Sequence, residues 1–587
     1  MGAPVMVVYV QEVVSGTSEF LGTRPTDKPV RTTTLAPPVT KQEQAMATSN
    51  VLMVFPRFNQ NSFWSLQAAC DIYGARCPAP PLGLITLAAL LPREWNIRLV
   101  DRNAEALAPA DLDWADMVMT GGMLPQRLDT LKIIELCQAH CKPVVVGGPD
   151  AMSSPETYAP ADFLVLGEAE GIIDAFVDAW HSGARRGSFQ GEKFKVDITL
   201  SPIPRFDLIT VKHYLYVGVQ FSRGCPFNCE FCDIIELYGR VPRSKTNQQM
   251  LAELQALYAA GYRGHVDFVD DNLIGNKKAL KRFLPALEVW QNERGYPFMF
   301  STEASINLAD DSQLLDMMKR ANFFAVFVGI ESPDTKTLIS AQKKQNTRRN
   351  LADSVHKIYA AGMMVLAGFI VGFDTEESGV AEGMIDCIEA TSIPVCMVGL
   401  LTALPGTQLT RRLEKEGRLL PFQSMDSGDQ CTAGLNFVPL RPRREILEDY
   451  KAVLLAVYRP GAYFERVRTF GRALRRPGHS VKLVPGLVAR DLGTLLRVMW
   501  RMTIQRSDLR WHFWRIFVDI ARYNPSALQV VVIQMVLYLH LGTFAGLVVD
   551  ELERQIGDID RELRPWPNTS LDEPIVIRST AIRQAAD

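Results

Sequence analysis

From residue 50 onward the chain alternates short apolar runs with longer stretches of helical periodicity, and it does so twice over. The first series of runs is Val51–Phe55, Ile97–Val100, Met117–Thr120, Val144–Val146 and Phe163–Leu166, with helical patterns such as Leu82–Leu91 and Leu128–Ala139 between them. The second is Tyr216–Ser222, His265–Asp270, Met299–Glu303, Ala325–Ile330, Met364–Val371 and Met397–Leu401, separated by helical stretches at Asn247–Ala260, Lys277–Asn292, Asp311–Arg320 and Arg348–Ala361. Parallel strands need a crossover long enough to hold a helix, so this alternation predicts two mostly parallel α/β units. The first is a doubly wound, Rossmann-like sheet. The second has six β/α units, too few for a closed eight-unit barrel, and predicts an open, partial (β/α)6 barrel.

At 587 residues the chain exceeds what one core can serve. The expected organisation is a disordered extension over 1–48, a Rossmann-like domain over 49–182, a Gly-, Pro- and charge-rich linker over 183–213, the partial barrel over 214–430, and a mostly helical C-terminal domain over 431–587. A formal net charge of -2 supplies no basic field for nucleic acid. The ten cysteines are thinly spread and no secretion-type leader precedes them, which points to a reducing cytoplasm where thiolates are free to hold metal.

In open α/β sheets, ligands bind beyond the strand C-terminal ends. Those ends carry Thr120-Gly121-Gly122-Met123, Gly147-Gly148-Pro149 and Gly167-Glu168, where glycine permits close backbone approach to a large cofactor. Ordinary strand-to-helix turns would use the same residues.

Arg223-Gly-Cys225-Pro-Phe-Asn-Cys229-Glu-Phe-Cys232 follows directly on the first strand of the second unit. A structural zinc site wants four ligands, and no second short-spaced pair lies near. Three thiolates on one loop suit a [4Fe–4S] cluster, which normally takes four, and leave one iron open to a small chelating ligand.

With an aromatic residue, Phe231, before its last cysteine, this motif resembles the radical S-adenosylmethionine (SAM) superfamily. The resemblance implies that Cys225, Cys229 and Cys232 hold the cluster and that SAM chelates the open iron and is cleaved to a 5′-deoxyadenosyl radical. Later motifs fall in the family's order: Val269-Asp270-Asp271-Asn272, Ser301-Thr302-Glu303, Gly329-Ile330-Glu331-Ser332, Gly368-Phe-Ile-Val-Gly372-Phe-Asp374 and Leu404-Pro405-Gly406-Thr407. On that resemblance Phe231, Asp270, Asp271, Glu303, Glu331 and Gly368 meet SAM.

The N-terminal unit resembles the cobalamin-binding domain of class B radical SAM methylases. The matching text is Pro80-Pro81-Leu82-Gly83-Leu-Ile-Thr86, Val100-Asp101, Gly147-Gly148-Pro149, and Ala161-Asp162-Phe followed by Gly167-Glu168-Ala-Glu170. The resemblance implies cobalamin over Thr120, Gly121, Met123, Gly147, Gly148, Gly167 and Glu168. The Asp-x-His-x-x-Gly motif that supplies a lower axial histidine in many cobalamin proteins is missing, which implies cobalamin without a histidine ligand. It also implies two SAM molecules, one generating the radical and one renewing the transferred methyl group.

The segment Asp233-Ile-Ile-Glu236-Leu-Tyr238-Gly-Arg240-Val-Pro-Arg243-Ser-Lys245-Thr246 looks like that of hopanoid carbon-2 methylases. The implied reaction is methylation of an unactivated carbon of a hydrophobic polycyclic lipid, carbon 2 of a diploptene-type hopanoid, with electrons from a reductase or flavodoxin. Bacteriochlorophyllide or porphyrin-type methylases and cyclases are similar across both domains, and an iron–sulfur electron carrier is the non-enzymatic alternative.

Between Arg441 and Arg522 stand 18 Lys or Arg against 7 Asp or Glu, interleaved with Trp500, Trp511, Phe513, Trp514 and Phe517. The run Ala527–Val549 is nearly all apolar, approaching the roughly 20 residues that cross a bilayer. Basic charge beside aromatic and apolar faces predicts a peripheral membrane surface, on the cytoplasmic side; a buried helix of a C-terminal bundle makes the same pattern.

Overall fold

The computed structural model describes residues 48–59, 61–420, 431, 434–476 and 485–561. The extension expected over 1–48 lies almost wholly outside them.

The first unit is a six-stranded, all-parallel sheet of β1 (Asn50–Phe55), β2 (Asn96–Asp101), β3 (Met117–Gly121), β4 (Val144–Gly147), β5 (Phe163–Leu166) and β6 (Gly187–Gln190), in the order β2-β1-β3-β4-β5-β6. Its strands are buried on both faces. Val51, Met53, Met117 and Met119 pack into one layer with Phe163 and Phe176; Leu52, Val54, Val118 and Val146 pack into the other with Ile133 and Cys137. Side chains alternate faces along a strand, so an unbroken apolar run fills both layers at once. The chain leaves β1 toward β2 and then crosses to β3 on the other side, which places a switch point at the ends of β1 and β3.

The segment expected to be a linker, 183–213, begins with β6, which pairs with β5 from Phe163↔Gly187 to Leu166↔Gln190. Its sequence, Gly-Ser-Phe-Gln, buries little, as an edge strand needs only one partner and one covered face. That is why no apolar alternation marked it.

The second unit contains β7 (Val217–Val219), a short antiparallel ribbon of β8 (Ser222–Arg223) and β9 (Arg243–Ser244), then β10 (Gly264–Phe268), β11 (Phe298–Glu303), β12 (Phe323–Glu331), β13 (Met364–Val371) and β14 (Cys396–Leu400). The large sheet is parallel throughout, in the order β14-β13-β12-β11-β10-β7. Each strand adds beside its predecessor, which is the open barrel that six β/α units predict. The ribbon brackets the cysteine loop.

Five C-terminal helices follow among the described residues: Arg443–Val457, Pro460–Ala473, Pro485–Trp500, Arg510–Tyr523 and Leu528–Asp560. They share one continuous core with the barrel. Tyr450 and Tyr458 donate hydroxyl hydrogen bonds to the carbonyls of Val398 (2.8 Å) and Cys396 (2.6 Å) on β14. The buried Arg466 donates to the carbonyls of Ile393 (2.9 Å) and Val457 (2.5 Å). This stitching closes the side of the sheet that β14 leaves open.

The apolar run at 527–549 belongs to the helix Leu528–Asp560. That helix is long and apolar enough to cross a membrane, but 67% of its most apolar window is buried inside the protein. Most of its apolar residues face the barrel and the neighbouring helices, as in the buried-helix alternative, while Leu547 stands 48% exposed.

Candidate active site

The cysteine loop runs from the β8–β9 ribbon to the one-turn helix Ile234–Leu237. Its entry is fixed by two adjacent carboxylates. Asp270 accepts from the Phe221 amide (2.9 Å), the Ser222 hydroxyl (2.5 Å) and the Ser222 amide. Asp271 accepts from the Gly224 amide (2.7 Å). Gly224 has φ +97, and an added Cβ would meet the Gly239 carbonyl at 2.9 Å, so only glycine serves there.

Cys229 is buried, and Cys225 and Cys232 are half-buried. Burial pushes the Cys225 and Cys232 thiols up, each further raised by Cys229, which places the three side chains in one another's field. Amide donors face two of the sulfurs: Asn272 Nδ2 lies 3.7 Å from Cys225 Sγ, and Gln345 Nε2 lies 3.7 Å from Cys229 Sγ. Donors aimed at sulfur suit thiolate ligands of a cluster.

Beside the thiols lies an ion pair whose cation has no sequence motif. Lys343 Nζ donates to Glu331 Oε1 at 2.6 Å, with both side chains buried. Burial works against the lysine's charge, but Glu331 and Cys229 outweigh it and hold the ammonium above its ordinary range. The same ammonium lies 6.0 Å from the centre of the Phe231 ring, which meets Phe373 edge-on at 5.9 Å. Glu331 takes φ 66, an uncommon conformation for a non-glycine residue. Gly368, on the next strand, carries no side chain between Glu331 Oε2 and the Phe327 ring, where a Cβ would stand 3.9 and 3.3 Å from them. Phe231, Glu331 and Gly368 thus gather near the cysteines.

One cavity of about 1990 Å³ joins all three parts of the chain. Ordinary small-molecule sites occupy roughly 300–1,000 Å³, so this one has room for more than one large ligand. Its floor under the first sheet is made by Thr120, Gly121, Gly122, Met123, Gly147, Gly148, Gly167 and Glu168. These glycines let strand-end loops touch: a Cβ on Gly121 would lie 2.5 Å from the Gly147 carbonyl, and one on Gly147 would lie 2.9 Å from the Val165 carbonyl. The result is a floor of bare backbone, with Met123 half exposed above it. Such a floor fits a broad, flat cofactor. No histidine of the first sheet is in the lining.

Two expected contacts are otherwise engaged. Thr120 is buried and gives its hydroxyl to the Val54 carbonyl (2.8 Å). Glu168 accepts from Arg223 (2.9 Å) and Arg243 (2.8 Å), while Arg223 also binds Glu170 (2.7 Å). Glu168 is thus a strut between the first sheet and the cysteine loop. Asp270 is likewise taken up by backbone and does not reach the cavity, whereas Asp271 and Glu303 line it.

A thiol-bearing loop at the end of an open parallel β/α barrel, with a doubly wound sheet sharing its cavity, defines a radical SAM barrel joined to a cofactor-type domain. The radical SAM superfamily matches residues 219–386, and a domain of unknown function, DUF4070, matches residues 407–554. An uncharacterized methyltransferase of Synechocystis is 43% identical over 86% of this chain and 94% of its own length. The hopanoid C-2 methylase of Rhodopseudomonas palustris is 33% identical over 86% of this chain and 95% of its own. The fold is similar to the cobalamin-dependent SAM radical enzyme OxsB, with a TM-score of 0.55 at 14% identity over 88% of this chain and 82% of that one. It is also similar to TsrM of Kitasatospora setae, a radical SAM methyltransferase solved with cobalamin and a [4Fe–4S] cluster, with a TM-score of 0.56 at 14% identity over 77% of this chain and 99% of that one. The chain belongs to the radical SAM methyltransferase family that includes the hopanoid C-2 methylase. It is an enzyme, a methyltransferase, of a superfamily that works with a [4Fe–4S] cluster and SAM.

Proposed function

We propose that this enzyme methylates an unactivated carbon of a hydrophobic polycyclic lipid, carbon 2 of a hopanoid, using a [4Fe–4S] cluster on Cys225, Cys229 and Cys232, SAM, and cobalamin on the floor of the first sheet. The observation that carries this reading is the single cavity. It brings the bare floor, the barrel mouth and an apolar wall of Met299, Phe324, Met364, Leu366, Val532 and Leu537 into one space. When bound, the cluster and SAM supply a radical that removes hydrogen, and cobalamin supplies the methyl group.

The chain's residues do the rest. Asp270 and Asp271 set the cysteine loop, and Asn272 and Gln345 offer amide donors to its sulfurs. Phe231, Asp271, Glu303, Glu331 and Gly368 are the SAM-facing set, with Glu331 oriented by Lys343 and its second oxygen left for a ribose hydroxyl. The apolar wall holds the lipid body and keeps water from the reacting carbon. The electron donor is a reductase or flavodoxin.

A lipid that hardly leaves a bilayer calls for an enzyme that touches one. The helix Pro485–Trp500 presents Thr494, Leu495 and Val498 to the cavity and Leu492, Leu496 and Trp500 to the outside. The outer stripe follows i, i+4 spacing, with Arg497 and Arg501 beside it, and Trp511 stands 75% exposed further on. Cationic charge flanking exposed aromatic residues supports peripheral docking on an anionic membrane.

The test is anaerobic reconstitution with iron, sulfide and cobalamin, followed by incubation with SAM, a reductant and a diploptene-type lipid. The expected product is heavier by one CH₂ at carbon 2. Methylation of a tetrapyrrole instead, with the lipid unchanged, overturns the assignment.

A further inference from the structure

Deep in the barrel, the apolar cavity is interrupted by a polar cluster of His265, Asp267, Ser301 and Tyr216 that no cofactor role absorbs, next to the SAM-facing Glu303. Successive inward positions on β10 are His265 and Asp267, and on β11 they are Met299, Ser301 and Glu303; Asp267 and Ser301 are direct partners in the strand register. Ser301 donates its hydroxyl to Asp267 Oδ1, and its oxygen lies 2.6 Å from His265 Nε2. With the Ser301 hydrogen given to Asp267, His265 is the donor to Ser301. Tyr216, just before β7, places its ring 4.9 Å from that of His265 and feels the charge of Asp267.

This chain of bonds leaves groups unmatched. Glu303 Oε2 is buried with no hydrogen-bond partner. Among the described residues, the second oxygen of Asp267 and the hydroxyl of Tyr216 have no bonded partner either. All of them line the cavity, and around them stand Met299, Phe324, Phe327, Met364 and Leu366. A polar group that a bound ligand shuts off from water without matching costs about 1–3 kcal/mol, so a ligand that matches these groups is favoured over one that does not. Burial raises the Asp267 and Glu303 carboxyls, and burial lowers His265.

We propose that Asp267, Ser301 and Tyr216 form a subsite for a hydroxyl group on the otherwise apolar substrate. A hydroxyl both donates and accepts, which matches a carboxylate acceptor beside a phenol donor; an ammonium group only donates. A pure hydrocarbon would leave the cluster unmatched. This inference rests on the lipid-methylase reading and narrows it: the preferred substrate is a polycyclic alcohol, with its hydroxyl held in the barrel and away from the carbon being methylated.

The experiment uses the reconstituted holoenzyme and two pentacyclic lipids that differ only in hydration of one double bond, the hydrocarbon and its alcohol. Two readouts are taken: the rise in melting midpoint on adding each lipid, and the ratio of their kcat/KM values for methylation. We expect the alcohol to give the larger rise and a ratio of about tenfold or more, the equivalent of one well-placed hydrogen bond. Tyr216→Phe and Ser301→Ala should each bring that ratio and the difference in melting midpoint toward parity. Equal binding of the two lipids by the unsubstituted enzyme, or variants that keep its full preference, overturns the subsite. If the alcohol is bound preferentially but neither lipid gains a methyl group, the subsite stands and the methylase reading fails.

Discussion

Arg223 Nη1 lies 2.9 Å from Glu168 Oε1, and this contact ties the last loop of the first sheet to the residue two before the first cysteine of the loop. The same guanidinium binds Glu170, and Arg243 reaches Glu168 from the far side of the β8–β9 ribbon at 2.8 Å. Two domains that must present ligands to one cavity are therefore joined through charge at the point where their loops meet. All four side chains are buried or nearly so, which makes the network costly to break on one side only.

Arg223→Met should destabilise the protein by about 3–5 kcal/mol, because it leaves Glu170 buried without its cation. Burial pushes Glu170 up, but Arg223 outweighs burial and holds the carboxyl at about 2. A depressed carboxyl contributes stability that is fully present above the unfolded value near pH 4.3 and is lost as pH falls toward 2. In the variant the Ser201 hydroxyl (2.8 Å) and one backbone hydrogen bond are left to oppose burial, so the Glu170 carboxyl rises and the stability lost with decreasing pH in the unsubstituted protein should shrink or change sign. Urea denaturation at several pH values reads both effects.

Gly121→Ala should lower cobalamin retention without removing the iron. The added Cβ would lie 2.5 Å from the Gly147 carbonyl, which is backbone and has nowhere to retreat. Overpacking of this kind costs about 1–3 kcal/mol, so cobalamin content after reconstitution should fall by roughly tenfold. Absorbance of the bound corrin, compared with iron content, checks it; unchanged corrin content with normal iron contradicts the floor assignment.

Asp267→Asn should stabilise the protein at pH 8. Burial raises the Asp267 carboxyl, so the ionised form costs stability once pH exceeds the unfolded value near 3.9. The asparagine removes that cost, and the gain should vanish below about pH 4, where the carboxyl is protonated in both states. Thermal melts from pH 4 to 8 test the sign.

Joint replacement of Leu496, Trp500 and Trp511 by serine should abolish sedimentation with anionic vesicles while leaving iron and cobalamin content intact. These side chains are 56%, 59% and 75% exposed, so their loss opens no cavity in the core. Binding by the unsubstituted protein should weaken with added salt, as attraction between arginines and anionic lipid requires.

Much of this architecture was legible in the sequence because it depends on neighbours along the chain. The apolar runs of β1, β3 and β4 are buried on both faces, so they appear as unbroken hydrophobic text. Cys225, Cys229 and Cys232 lie within eight residues on one loop. Lys343 and Gln345 were not legible, since both lie in the segment after β12, carry no motif and meet Glu331 and Cys229 only through folding; Asn272 stood in a quoted motif without a reading of its own. Asp270 and Glu168 were expected at ligands on the resemblance; their bonds to the Phe221–Ser222 backbone and to Arg223 and Arg243 were not legible, because only folding brings those partners near. The run at 527–549 was ambiguous for a different reason. A helix buried in protein and one facing lipid need the same apolar residues, and packing alone separates them.

The most direct test of the central claim is the yield of 5′-deoxyadenosine from SAM by anaerobically reconstituted protein under a strong reductant, measured alongside bound iron for the unsubstituted chain and for Cys229→Ala. The unsubstituted chain should hold a [4Fe–4S] cluster and release 5′-deoxyadenosine, and the variant should lose both. A variant that keeps its full iron content and still cleaves SAM would contradict the assignment of the cluster to this loop.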